Sequence, residues 1–86
     1  MNKKEKLVYE ITYQLFDGCC AMCGNSEIVM HHIRYGACGR KTYLGNVIPL
    51  CVHHHNLVHT TKIVYQPMLI DLINEKLEEL DDEVQE

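Results

Sequence analysis

The chain has 86 residues, a formal charge of −4 and five cysteines, which is enough for one domain and not for two. A domain this small buries only roughly 60–65% of its unfolded surface, so folds of this size often lean on a metal or on disulfides. No stretch is apolar enough to span a bilayer, and the odd cysteine count cannot be satisfied by disulfides alone.

The negative charge is unevenly placed. From Asp71 onward there are eight acidic residues and one lysine, whereas the preceding 70 residues carry seven Lys and Arg against four acids. The larger part is therefore mildly basic and compatible with phosphate binding, despite the overall sign. Glu10, Thr12 and Gln14 interrupt the apolar run that would follow the basic Met1–Lys6 segment in a secretory signal. A reducing cytoplasm is the expected compartment, and there a cysteine pair favours a metal over a disulfide.

Residues 4–16 read as an amphipathic helix with Leu7, Val8, Ile11 and Leu15 along one face, stopped by Asp17-Gly18. Cys20-Ala21-Met22-Cys23-Gly24 has zinc-knuckle spacing, the glycine letting the backbone turn so that its amides face the sulfurs. Cys19 is left as a spare thiol. Residues 28–33, Ile-Val-Met-His-His-Ile, form a short strand by composition. Neighbouring strand residues point to opposite faces, so His31 and His32 cannot do the same job.

Residues 34–45 read as a long loop with a basic patch of Arg34, Arg40 and Lys41, interleaved with Tyr35 and Tyr43. Residues 46–50 look like a second strand paired back on the first, with Pro49 at its edge or end. A helix of about ten residues then begins at Cys51 or Val52. On it Cys51, His54 and Val58 cluster on one side, His55 and His59 share the adjacent side, and His53 points away. One helix can thus serve two metals, with Cys51 and His54 joining the upstream thiolates and His55 and His59 joining a strand histidine. Pro67 suits the first turn of a last, acidic helix carrying Leu69, Ile73, Leu77, Leu80 and Val84, which can fold back on the core or pair with another chain.

All six histidines lie between His31 and His59, and imidazole is both the commonest metal ligand and the side chain suited to proton transfer near neutral pH. With Cys20-x-x-Cys23-Gly24, His31-His32-Ile33, Asn46 and Cys51-x-x-His54-His55-Asn56-Leu57-Val58-His59, the span 20–59 resembles the His-Asn-His (HNH) endonucleases with a ββα-metal core. The fold so implied is a small α+β domain. Residues 19–64 would form the zinc knuckle and ββα-metal core, residues 1–18 an N-terminal helix and residues 65–86 the C-terminal helix.

The resemblance implies His32 as the general base, Asn46 as the residue that ties down the loop, and His31, His55 and His59 as ligands of one catalytic divalent metal. It implies Cys20, Cys23 and Cys51 as ligands of a structural zinc. His54 stands where most zinc-bearing members have a fourth cysteine; a Cys₃His set is ordinary for zinc, with Cys38 or His53 as substitutes. Three imidazoles favour Zn²⁺, Ni²⁺, Co²⁺ or Mn²⁺ over Mg²⁺. The function the resemblance implies is metal-dependent hydrolysis of double-stranded DNA, and the alternative is a zinc-stabilised nucleic-acid-binding module whose second site is idle. A zinc deaminase is disfavoured because the chain has no His-x-Glu triplet.

Overall fold

A computed structural model describes residues 2–36 and 39–84. The first helix, α1 (Lys3–Leu15), opens with a capping box: the Glu5 N–H donates to the Asn2 side chain at 2.8 Å, and the Glu5 carboxylate accepts from the Asn2 N–H at 3.3 Å. It ends where Gly18, at φ +70°, donates its N–H to the Tyr13 carbonyl at 2.8 Å. A Cβ on Gly18 would sit 2.6 Å from the Tyr13 ring, so this turn requires glycine. The buried positions are Val8 and Thr12, while Leu7 is 54% exposed. Thr12 is tolerated inside because its hydroxyl donates to the Val8 carbonyl at 2.8 Å.

Strand β1 (Val29–His32) pairs antiparallel with the last strand, β4 (Val47–Leu50), with Val29 opposite Leu50 and His32 opposite Val47. Pro49 lacks a donor, yet its carbonyl accepts from the Ala21 N–H at 2.9 Å, docking the knuckle on this strand. The connection, expected from its glycines to be a long loop, instead carries a hairpin of two-residue antiparallel strands, β2 (Tyr35–Gly36) and β3 (Gly39–Arg40).

Asn46 holds that hairpin to the sheet. Its side-chain oxygen accepts from the Arg34 N–H at 2.9 Å, and its amide donates to the Lys41 carbonyl at 2.7 Å and the Arg34 carbonyl at 3.2 Å. Its own carbonyl accepts from Ile33 at 2.8 Å, so one buried residue joins both ends of the insert.

Helix α2 (Val52–Thr60) follows β4 after Cys51 alone, and α3 (Lys62–Val84) follows after Thr61 alone. The last helix begins five residues before Pro67, which lies inside it. The Thr61 carbonyl accepts from both Val64 and Tyr65 at 3.2 Å, starting the helix a turn early. The carbonyl that Pro67 leaves without its helical partner belongs to Ile63, a residue 91% exposed, where water can satisfy it. Leu69 and Ile73 fold back onto the core with Ile33, Ile48, Leu50 and Val58, while Asp71, Glu75, Glu78 and Glu79 face solvent. No helix among the described residues is long and apolar enough to cross a membrane.

Replacing Asn46 with alanine removes three part-buried hydrogen bonds to the backbone of Arg34 and Lys41, a loss of about 3 kcal/mol. The expected outcome is a fall in Tm of more than about 10 °C; a melting curve within a few degrees of wild type by circular dichroism would contradict it.

Candidate metal centres

Two groups of side chains converge on neighbouring faces of α2. In the first, the ligand atoms of Cys20, Cys23, Cys51 and His54 all lie within 4.8 Å of one another. Cys23 Sγ is 3.7 Å from Cys51 Sγ, Cys20 Sγ is 3.8 Å from His54 Nδ1, and Cys51 Sγ is 3.2 Å from His54 Nδ1. A tetrahedral zinc with Zn–S bonds of about 2.3 Å sets S···S edges of about 3.8 Å, so this spacing fits that ion.

Local backbone geometry makes the group. Cys20 and Gly24 close the knuckle through a Gly24 N–H to Cys20 carbonyl bond of 2.9 Å, with Gly24 at φ +79°. Cys51 is the N-cap of α2, its sulfur accepting from the His54 N–H at 3.5 Å, and this brings the His54 ring back over the thiols.

Burial works to raise the Cys20 pKa, but backbone hydrogen bonds from Cys51, Met22 and Cys23 outweigh it and lower it to about 6. Cys23 moves the other way. The Asn25 backbone hydrogen bond pulls it down, while desolvation and the neighbouring Cys20 and Cys51 push it up further. Thiolates crowded this closely repel one another, and a cation between them relieves the repulsion. The cluster can therefore hold a metal ion, consistent with a structural zinc. His54 completes the set. His53 is exposed, with its ring 5.1 Å from that of His54, and Cys38 lies outside the described residues. Cys19 stands apart, its thiol 3.3 Å from the Asp17 carbonyl.

The second group comprises His31, His55 and His59, again with ligand atoms within 4.8 Å. The His31 ring lies 5.2 Å from each of the other two, edge-on, and His55 Nε2 is 3.1 Å from His59 Nε2. His31 is 2% exposed, and its Nδ1 is a buried polar atom without a hydrogen-bond partner among the described residues. Desolvation, with the charges of His55, His59, His32 and Lys62, lowers the His31 pKa to about 4. Burial and His59 lower that of His55. His31 and His55 are thus held toward the neutral form, the one that ligates metal. An orphaned buried nitrogen beside two further imidazoles fits a divalent cation better than it fits a packed core.

His32 is not one of this group's ligands; its Nε2 is 2.8 Å from the Thr42 hydroxyl and its ring 6.2 Å from that of Tyr9. Thr42 and Tyr9 carried no signal in the sequence, since a lone threonine in a loop and a tyrosine on a distant helix match no ligand spacing. Arg34 and Lys41 are exposed directly above their backbone anchor on Asn46; the Arg40 side chain lies outside the description. Comparison with known proteins finds no matching family model, curated protein or solved structure. Function must be argued from this geometry.

Cys23→Ser is expected to lose one bound metal per chain and to unfold the domain at markedly lower temperature, whereas His55→Ala loses one metal and keeps the cysteine site filled. Elemental analysis with melting curves checks both; unchanged metal content in either variant would contradict the assignment.

Proposed function

We propose that the chain is a metal-dependent DNA endonuclease of the His-Asn-His type, built on a ββα-metal arrangement of β1, β4 and α2. The observation that carries this reading is the unpartnered, buried His31 nitrogen beside His55 and His59, with a second imidazole, His32, on the next residue of the strand. A zinc-stabilised binding module has no use for that group.

A divalent cation (Zn²⁺, Ni²⁺, Mn²⁺, Co²⁺ or Mg²⁺) held by His31, His55 and His59 would supply Lewis acidity to the scissile phosphate and its leaving oxygen. His32 takes the proton from the attacking water. The Thr42 hydroxyl, 2.8 Å from Nε2, fixes the ring's orientation, and Tyr9 flanks it. Asn46 is a positioning residue: by gripping Arg34 and Lys41 through their backbone it keeps the hairpin, and the basic Arg34, Arg40 and Lys41, in fixed register with the strand histidines. These side chains meet the DNA phosphates. Cys20, Cys23, Cys51 and His54 hold the structural zinc that orients α2.

The test is plasmid digestion by wild type and His32→Ala, with metal content measured on the same samples. His32→Ala is expected to keep both metals and its fold while cutting at least about 100-fold more slowly, and wild-type products are expected to carry 5′-phosphate and 3′-hydroxyl ends. Full activity of the variant would remove His32 from the base role. Intact plasmid with a single metal per wild-type chain would leave the binding module as the function.

A further inference from the structure

Lys62 opens α3, immediately after Thr61, the C-cap of α2. Its ammonium lies 4.2 Å from the centre of the Tyr35 ring. Tyr35 belongs to the hairpin, opposite Arg40 in the pairing register, and is 40% exposed. An exposed lysine ordinarily wanders; here an aromatic face holds the cation between the hairpin and the histidine group. It stands three residues beyond His59, which belongs to that group.

Among the described residues no acidic side chain forms an ion pair with Lys62. The ion pair among the described residues is Lys76 with Glu79, far along α3, and the first turn of α3 has no acidic residue. A lysine at a helix N-terminus also opposes the positive end of the helix dipole. Helix stability therefore does not explain its presence. The arrangement concentrates positive potential at the edge of the histidine group and leaves it open to an anion.

We infer that Lys62, seated on Tyr35, is a phosphodiester-binding residue at the rim of the three-histidine site and contacts the DNA backbone beside the bond to be cut. The inference deepens the endonuclease reading by extending its substrate surface from the hairpin onto α3. Tyr35 acts as a positioning residue, setting where the ammonium stands without touching phosphate itself.

Binding of the metal-loaded, full-length chain to a short fluorescent DNA duplex tests this in a His32→Ala background, which suppresses cleavage. Between about 50 and 200 mM salt, Lys62→Gln is expected to make the slope of log K against log salt shallower by about 0.9, the value for one lost phosphate contact. Lys62→Arg keeps the slope. Tyr35→Phe is expected to bind as the parent does, and Tyr35→Leu to bind about 2–5-fold more weakly, the range for losing an exposed cation–π contact. With His32 intact, Lys62→Gln is expected to lower kcat/KM about tenfold.

An unchanged slope for Lys62→Gln overturns the inference, including where its melting temperature falls, because a merely structural lysine alters stability and not counterion release. The two readings fail separately. Wild type that cuts DNA while Lys62→Gln keeps its slope refutes only the role of Lys62. Wild type that never cuts, with a shallower slope for Lys62→Gln, refutes the nuclease and retains the phosphate contact.

Discussion

The structure depends on how Cys51 joins β4 to α2. Its sulfur caps the helix and also stands within 3.7 Å of Cys23 Sγ and 3.2 Å of His54 Nδ1. That double engagement fixes where the helix starts and how it is rotated. At about 100° per residue, placing His54 over the thiols turns His55 and His59 to the neighbouring face, toward His31. A helix of nine residues lacks the length to be stable alone. Its position comes from Val58 in the core, the knuckle docked on Pro49, and α3 folded across it.

On the other side of the sheet junction, Asn46 does for the hairpin what Cys51 does for the helix. A two-residue hairpin has almost no core of its own, so its basic residues would otherwise have no defined place. Three side-chain hydrogen bonds from one buried amide attach both ends of the insert to β1 and β4. In the proposed nuclease, the cysteine-bearing half secures the histidines of α2 and the asparagine secures the phosphate-facing hairpin. The two meet at the His31-His32 pair. The acidic face of α3 points to solvent, so the charge of the molecule is segregated as the sequence halves suggested.

Much of this was legible in the chain because metal ligands obey spacing. The Cys20/Cys23 interval, the offset of Cys51 and His54, and the His55/His59 repeat each follow from turn or helix geometry, and the structure brings those residues into the two expected groups. The antiparallel strands were legible from β-branched composition and turn residues. What failed was local pattern overruled by tertiary contact. Leu7 belonged to the apolar stripe but lies outside, and Thr12 lies inside because it satisfies its hydroxyl within its own helix. Pro67 looked like a helix start, yet Thr61 begins the helix earlier and solvent accommodates the break. The partners of His32 and the aromatic seat of Lys62 were invisible, since single contacts between distant segments leave no period to detect.

One short helix would face two separate cations, and anomalous diffraction at the zinc edge from crystals of the zinc-loaded chain tests that geometry. Two peaks are expected, on different faces of α2. One should have sulfur ligands at about 2.3 Å, the other nitrogen ligands at about 2.0–2.1 Å. A single peak among the cysteines, with His31, His55 and His59 packed around no ion, would contradict it.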